Sequence, residues 1–193
     1  VLRVVGRPAT GTAPKTIRRI RVHFGKTGKF AFRGHLDLVR LLPRVFKRAG
    51  IALHYTEGFH PRPEMIFGPA LPLGVYSIAE YVDVRIETDF ELPNEQSVLS
   101  ALNSVTESGL DFYRMRELDR KDPSLTKNAA LATYLIGVPT SLTFGESTVD
   151  GVFLQDVVTK GSPLPDVIRQ QGKITKTIQV SKFVHSLSLC DPS

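Results

Sequence analysis

The sequence of 193 residues contains a single cysteine, Cys190, close to its C-terminal end. One cysteine excludes a disulfide framework within the chain and a zinc or iron–sulfur site built from its own cysteines. Long apolar stretches are also missing: no run approaches the roughly 18 residues that a membrane span needs, and no apolar signal core stands at the start. These absences predict a cytoplasmic protein from a reducing compartment that has no membrane partner.

Acidic residues are scarce in the first 70 positions. That part holds 14 Lys and Arg against 3 Asp and Glu, a net charge of +11, whereas residues 71–193 hold 11 against 16, a net charge of −5. The overall charge of +6 therefore conceals a dipolar chain. A basic face of this kind suits a polyanion or an acidic partner surface, and a merely solvated basic surface would give the same composition.

Composition divides the chain into three parts. Residues 1–16 are rich in Gly, Pro and Thr and are predicted to form a linker, and the first residue is Val, which suggests a piece of a longer protein. A hydrophobic content of 41% is enough for a real core in the remainder. We predict a basic domain over residues 17–122 and a smaller C-terminal α+β half over residues 123–193.

The basic domain begins with a strand that alternates between polar and apolar residues. Arg19, Arg21 and His23 fall on one side of it, and the residues between them are apolar. The segment from Gly34 to Ala49 then has the apolar spacing of an amphipathic helix, with Pro43 expected to kink or break it. Basic residues occupy the outward side of this helix: Arg40, Arg44, Lys47 and Arg48.

The following segments complete a recognisable order of elements. The patterns predict strands over Ile51–Tyr55, Glu80–Glu87 and Leu110–Leu118, and a helix over Pro93–Val105. The resulting order is the βαββαβ unit of ferredoxin-like α+β folds. In the C-terminal half we predict strands over Thr133–Val138, Val152–Val158, Ile174–Val180 and Phe183–Leu189, and a short helix over Pro163–Gln171.

A loop between the predicted strands carries two closely spaced prolines. Pro61 and Pro63 restrict the backbone around Arg62, so His60 and Arg62 are expected to be held in an extended, low-entropy presentation. Such a presentation favours recognition of a ligand. An ordinary structural loop that only needs Pro and Gly to turn remains the alternative.

Several short motifs occur together in the first half of the chain: Lys26-Thr27-Gly28, Phe32 to Leu38, Glu57 to Pro63, and Ala70 to Val75. Together they resemble the radical-SAM-linked domain family, a bacterial domain of unknown function that stands alone or follows cobalamin-binding radical SAM proteins. The resemblance implies a radical SAM partner, in the same or a separate chain, that holds S-adenosylmethionine, an iron–sulfur cluster and cobalamin. No cofactor is expected in this chain itself.

The leading interpretation is an accessory domain that recognises a substrate, most plausibly RNA, and is not catalytic alone. Since the first strand offers no aromatic residue on its polar side, we expect phosphate contacts rather than strong base recognition. No catalytic residue and no metal ligand is assigned. The candidate RNA-binding residues are Arg19, Arg21, His23, Lys26, Arg33, His35, Arg40, Arg44, Arg48, His60 and Arg62.

Two alternatives remain open. His35 and His60 could act as general acid and base of a metal-independent ribonuclease, with Arg62 or Lys26 holding a phosphate. A metal site built from these histidines with Asp37 and Glu57 lacks any diagnostic spacing. The domain could instead be a module that only docks a radical SAM partner. Convergence of the basic side chains on one surface would favour substrate binding over docking.

Overall fold

The computed structural model divides the chain into two compact units, Val1–Ala132 and Thr133–Ser193, and each unit is considered by itself. The residues that the structure describes are 17–87, 89–128, 131–137, 143–144, 147–148, 166–171, 174–182, 184 and 186–188. No helix among them is long and apolar enough to cross a membrane.

The first unit contains a four-stranded antiparallel sheet and two main helices. Its elements are β1 (Arg18–Lys26), a 3₁₀ turn (Gly28–Phe32), α1 (His35–Arg48), β2 (Met65–Phe67), β3 (Ser77–Ile86), α2 (Glu95–Ser104), β4 (Leu110–Leu118) and the short α3 (Leu125–Asn128). The strand order is β2-β3-β1-β4, and every neighbouring pair is antiparallel. This βαββαβ arrangement confirms the α+β fold class predicted from the sequence.

One face of the sheet is covered by α1 and α2. The alternating residues Ile20, Val22 and Phe24 of β1 are buried on this side, where the ring of Phe112 from β4 packs against Phe46 of α1. Each large apolar side chain that is removed from water here contributes roughly 1.5–3 kcal/mol before the entropy of folding is subtracted. The opposite face of β1 therefore carries its polar residues, as the alternation predicts.

Helix α1 begins at His35, and its first turn is fixed by Asp37. The carboxylate of Asp37 accepts a hydrogen bond from the N–H of Gly34 at 2.9 Å, which suits an acidic residue at the positive end of the helix dipole. The helix continues through Pro43, so the predicted break there is wrong. Pro43 leaves only the carbonyl of Val39 without its helical donor, and Val39 lies on the exposed side where water can bind that carbonyl.

The predicted strand over Ile51–Tyr55 is also wrong. This segment makes only isolated bridges, between Leu53 and Ile86 and between Tyr55 and Pro63. The edge of the sheet is formed instead by β2, whose three residues pair with Val82–Val84 of β3. Both segments are apolar, so composition alone does not show which of them forms a strand. The answer depends on which segment pairs with β3 in the folded protein.

The second unit contains two short antiparallel hairpins in its described part. These are formed by β5 (Thr143–Phe144) with β6 (Ser147–Thr148), and by β7 (Val167–Gln171) with β8 (Ile174–Ile178), before a 3₁₀ turn at Val180–Lys182. The strand predicted over Ile174–Val180 is confirmed in its main part. The predicted helix over Pro163–Gln171 is wrong from Val167 onward, because these residues pair with β8.

Two other predictions for the second unit concern strands. No strand is found at residues 133–137, nor at the described positions 184 and 186–188, so the strands predicted over Thr133–Val138 and Phe183–Leu189 are wrong there. The strand predicted over Val152–Val158 lies outside the described residues.

Candidate functional site

The candidate site lies on the sheet surface opposite α1 and α2, here called the polar face. It is centred on Arg19, Arg21 and His23 of β1, which are flanked on both sides because β1 is an inner strand. The register places Arg85, Asp83 and Tyr81 of β3 beside them on one side and Leu118, Arg116 and Arg114 of β4 on the other. The topology therefore assembles the polar face from three strands that are distant in sequence.

The middle of the polar face is occupied by a buried ion pair. Arg21 donates to Asp83 twice, from Nε to Oδ1 at 2.6 Å and from Nη2 to Oδ2 at 2.9 Å. Both residues are buried, with 7% and 1% exposure, and the hydrogen bond to Asp83 raises the pKa of Arg21 above its ordinary value. Arg21 is therefore held by the protein itself and is not exposed to a ligand as the sequence suggested.

A turn over residues 119–123 lies against the same face and holds two more arginines. The Nη2 group of Arg19 donates to the carbonyl oxygens of Asp119 and Asp122 at 3.3 and 2.8 Å. Arg116 donates to the carboxylate of Asp122 at 3.0 and 3.1 Å. The hydrogen bonds from Arg116 and then from the amide of Asp119 lower the pKa of Asp122. The turn thus supplies the anionic and carbonyl groups that a row of cationic side chains requires.

Beyond the ion pair, three aromatic rings meet at one end of the polar face. The ring of His23 stacks on Tyr81 with a centroid distance of 4.7 Å and an interplanar angle of 14°, and the edge of Tyr113 approaches His23 at 5.4 Å. His23 Nε2 lies 2.7 Å from the carbonyl oxygen of Ile78. Because a carbonyl can only accept, the proton must be on Nε2. Tyr81 and Tyr113 remain 38% and 39% exposed, so part of each ring is available to a ligand.

Local backbone geometry brings Tyr113 into this cluster. The pairing of β1 with β4 shifts register between His23 and Phe24, which leaves Tyr113 as the extra residue of a bulge. The Tyr113 ring then crosses over Gly25, where any added Cβ would overlap its Oη atom. A side chain at position 25 would therefore have to displace the Tyr113 ring from its place beside His23.

The rings of His23 and Tyr81 line a cleft of about 210 Å³, here called the aromatic cleft, and Tyr113 lies beside it. The lining residues of the cleft are Arg21, His23, Tyr81, Glu95, Arg114, Met115 and Arg116. The carboxylate of Glu95 accepts from the N–H of Met115 at 2.9 Å and so caps the free edge of β4. Arg114 is exposed and, within the described residues, has no carboxylate in ion-pair distance. A planar ring with an attached anion would find an aromatic surface and a free guanidinium here.

The remaining candidate residues lie elsewhere. Lys26 is buried with 1% exposure on the helix side of the sheet, and burial lowers its pKa although Glu80 opposes the shift. Arg33 lies 3.6 Å from the carboxylate of Glu107. Arg40, Arg44 and Arg48 are exposed on the outer side of α1, away from the polar face. The basic groups of the strand and of the helix therefore point apart, and the convergence that would favour substrate binding over docking is not found.

His60 and Arg62 are exposed near the tip of a closed loop. The N–H of Thr56 donates to the carbonyl oxygen of Arg62 at 2.9 Å, and the N–H of Arg62 donates to Thr56 Oγ1 at 3.0 Å. At the base, Glu64 accepts from His54 and from Arg85. The backbone is therefore held in place, as the prolines suggested, and Phe59 at the tip is fully exposed.

The histidines of the ribonuclease alternative belong to different environments. His35 packs edge-on against Phe67 at 5.6 Å, whereas His60 is in the exposed loop. In the part of the chain that the structure describes, no group of three or more His, Cys, Asp or Glu side chains could hold a metal ion, so these histidines do not gather with Asp37 and Glu57.

Four residues of the site were not among the candidates chosen from the sequence: Tyr81, Tyr113, Arg114 and Arg116. A signal for Tyr81 is present, because it alternates with Asp83 and Arg85 in a strand that this topology places beside β1. Arg114 and Arg116 follow from the same reasoning on β4. The signal for Tyr113 is divided: alternation with the buried Leu110 and Phe112 places it on the polar side, whereas alternation with Arg114 and Arg116 places it on the buried side, and the bulge lets both Tyr113 and Arg114 lie on the polar side.

Comparison with known proteins places the chain in a family. Residues 19–191 match the family described as "Uncharacterized protein conserved in bacteria (DUF2344)", and the chain therefore belongs to that family. No curated protein and no solved structure matches the chain significantly.

Proposed function

We propose that this member of the bacterial family binds single-stranded RNA on the polar face, with a base stacked in the aromatic cleft. The observation that supports this most is the stack of His23 on Tyr81, with Tyr113 beside it, at an end of the four-stranded sheet where Tyr81 and Tyr113 are 38% and 39% exposed. Other ferredoxin-like sheets bind RNA by stacking bases on aromatic side chains of inner strands, which is an analogy of fold and not of sequence.

The physical basis is stacking assisted by a small number of phosphate contacts. Every base has a π-face, so an exposed aromatic surface binds single strands with little dependence on sequence. Arg114 borders the cleft and can reach a phosphate, whereas Arg21 is engaged by Asp83 and Arg116 by Asp122. One such contact predicts a log–log salt slope of about −0.7, which is shallow for a chain with such a basic first half.

RNA recognition of this kind would serve a partner rather than a reaction of the domain itself. The motif resemblance supports a radical SAM partner, which would hold S-adenosylmethionine, an iron–sulfur cluster and cobalamin and supply the radical chemistry. The residues of this chain would bind the RNA and orient one base toward that partner. The domain is therefore proposed as an accessory, non-catalytic module.

Substitution of Tyr81 tests the proposal. Binding of a short fluorescent single-stranded RNA is measured by anisotropy for the full chain and for Tyr81→Ala, which should lose about 1–3 kcal/mol of binding free energy. Tyr81→Phe keeps the ring and should bind like the unchanged protein. Tyr134→Ala is a matched control, because Tyr134 is 63% exposed and lies in the second unit.

Circular dichroism and thermal melting establish that each variant is folded. Equal RNA affinity of folded Tyr81→Ala and the unchanged protein would reject stacking in the aromatic cleft. Absence of any RNA binding by the unchanged protein at low salt would reject the RNA proposal altogether.

A further inference from the structure

A second cleft lies at the other end of the polar face and is here called the arginine cleft. Its volume is about 290 Å³, and its lining residues are Ile17, Arg19, Arg85, Leu118, Asp119 and Arg120. Arg19 and His23 are four residues apart on β1, a distance of about 13 Å along an extended strand. The arginine cleft and the aromatic cleft therefore share one surface but occupy different places on it.

The guanidinium of Arg19 has no carboxylate within ion-pair distance in the described part of the chain, although its charge contributes, after the hydrogen bond from Arg116, to lowering the pKa of Asp122. The Nη2 group of Arg19 is bound by two backbone carbonyl oxygens, at 2.8 and 3.3 Å. Carbonyl acceptors fix the position of a guanidinium without neutralising it. The side chain of Arg19 is therefore a charge that is held in position before any ligand arrives.

Arg85 is also held in place before a ligand binds, by hydrogen bonds on one side of its guanidinium group. Both of its hydrogen bonds to Glu64 come from Nη1, at 3.0 and 3.1 Å, and Glu64 shares its charge with His54, which lies 2.8 Å away. Within the described residues, the Nη2 and Nε groups of Arg85 have no partner and can donate to a ligand. A guanidinium fork of this kind matches the oxygen spacing of phosphate.

The rest of the lining selects among anions. Arg120 is exposed and adds a third guanidinium, while Asp119 contributes the one carboxylate of the lining. Glu64 pairs with Arg85 from outside the lining, so the net positive charge of the cleft is small. Its three guanidinium groups can still each bind one terminal oxygen of a phosphate monoester, whereas a phosphodiester offers only two such oxygens. Ile17 and Leu118 supply apolar wall, so the ligand should carry an apolar or aromatic portion beside its charge.

We propose that the arginine cleft binds the dianionic phosphate monoester of a nucleotide, either free or at the end of an RNA strand. The free nucleotide requires nothing of the aromatic cleft, whereas the RNA terminus rests on the proposed function. Three side chains have separate roles. Arg19 and Arg85 are hydrogen-bond donors that the protein already holds in position, and Arg120 contacts the phosphate from the turn over residues 119–123.

The first experiment uses adenosine monophosphate, adenosine and inorganic phosphate as probes of the full chain. Backbone amide and arginine Nε–H shifts are followed by NMR. The monophosphate should shift Arg19, Arg85 and Arg120 and should bind at least about tenfold more tightly than adenosine, because only the former offers charged acceptors. Its affinity should fall as the pH is lowered through about 6, where a phosphate monoester loses its second charge.

Neighbouring residues give a matched pair of variants. Arg120→Ala should weaken binding of the monophosphate about tenfold, since it removes one charge-assisted contact. Lys121→Ala removes the same charge one position away, is equally exposed, and does not line the cleft. It should change the affinity less than twofold, in line with a screened surface charge. Equal effects of the two substitutions, or equal binding of adenosine and its monophosphate, would overturn the proposal.

The second experiment identifies the source of the phosphate. The same short RNA is compared with a 5′-phosphate and with a 5′-hydroxyl, in the unchanged protein and in Arg120→Ala. Tighter binding of the phosphorylated strand that disappears in Arg120→Ala assigns the cleft to RNA ends. Binding of the monophosphate without any such preference assigns it to a free nucleotide.

These outcomes separate the two proposals. If the protein binds the monophosphate and does not bind RNA, the proposal for the arginine cleft is supported and the proposal of RNA binding in the aromatic cleft is rejected. RNA binding that requires Tyr81, in a protein on which the monophosphate causes no shift at Arg19, Arg85 or Arg120, rejects the arginine cleft alone.

Discussion

Two basic regions of this protein look alike in sequence and differ in the folded structure. The arginines of β1 lie against neighbouring strands, where Arg21 is held by Asp83 and Arg19 by backbone carbonyls. The arginines of α1 face solvent, and within the described residues Arg40, Arg44 and Arg48 form no ion pair. A cation on an inner strand must be compensated by the protein, whereas one on the outer side of a helix is compensated by water.

A finer contrast exists within β1 itself. Arg21 and Lys26 are both buried, at 7% and 1% exposure, yet their pKa values move in opposite directions. The bidentate hydrogen bond that Arg21 donates to Asp83 raises the pKa of Arg21, and burial lowers the pKa of Lys26, against a weaker opposing effect of Glu80. The two cations therefore differ in what the surrounding protein contributes, and mutation should reveal that difference directly.

The largest effect is expected when the buried ion pair is broken from its acidic side. Asp83→Ala leaves the guanidinium of Arg21 buried without its carboxylate and should lower the free energy of unfolding by about 3–5 kcal/mol. Urea unfolding of the full chain, followed by circular dichroism, measures the change. A loss below about 1 kcal/mol would contradict a buried and uncompensated charge.

The double variant Arg21→Met/Asp83→Leu keeps this test informative where the single variant does not fold. It removes both charges and fills the same space with apolar atoms, so it should recover most of the loss. A double variant as unstable as Asp83→Ala would show that volume, and not charge, sets the cost at this position.

A smaller effect of opposite sign is expected at Lys26. Lys26→Met removes a buried charge for which the described residues provide no ion pair, so the variant should be about 1 kcal/mol more stable than the unchanged protein at pH 7. The matched control is Lys47→Met on the exposed side of α1, which should change stability by less than about 0.5 kcal/mol.

The pH dependence of the free energy of unfolding provides a second test of Lys26→Met. Because the pKa of Lys26 is lowered in the folded state, the native protein releases this proton at a lower pH than the unfolded chain, whose lysine titrates near 10.4. The stability of the unchanged protein should therefore rise with pH between these two values. The advantage of Lys26→Met should shrink over that range, and a constant advantage in urea unfolding would contradict the lowered pKa.

The contrast between strand and helix also defines what the sequence could predict. Alternation along β1, β3 and β4 and the apolar spacing of α1 depend on local geometry, and these elements and their order were predicted correctly. The strand over Ile51–Tyr55 was predicted wrongly because pairing with β3 is a tertiary choice that favours Met65–Phe67. Pro43 was expected to kink or break the helix, yet the helix continues, and the lost hydrogen bond falls on Val39, which is exposed.

The candidate site was less predictable than the fold for the same reason. The compensation of Arg21 comes from a residue 62 positions away, and that of Arg19 from a turn about 100 positions away. Amino-acid composition shows such charges only as an excess of Lys and Arg over Asp and Glu, and it does not show their partners. The aromatic cleft required both the strand order and the bulge that turns Tyr113 over Gly25, and a bulge has no periodic signal.

The smallest effect is expected on the helix and would sharpen the comparison most. Arg44→Ala/Arg48→Ala should leave the free energy of unfolding within about 0.5 kcal/mol, because both side chains are exposed. It should also change affinity for a short RNA less than about twofold, since the sheet and a Debye length of about 8 Å separate these charges from the polar face. Arg114→Ala, by contrast, should reduce the magnitude of the salt slope by about 0.7. Anisotropy titrations at several salt concentrations measure both variants, and a helix variant that lost more affinity than Arg114→Ala would move the RNA from the sheet to α1.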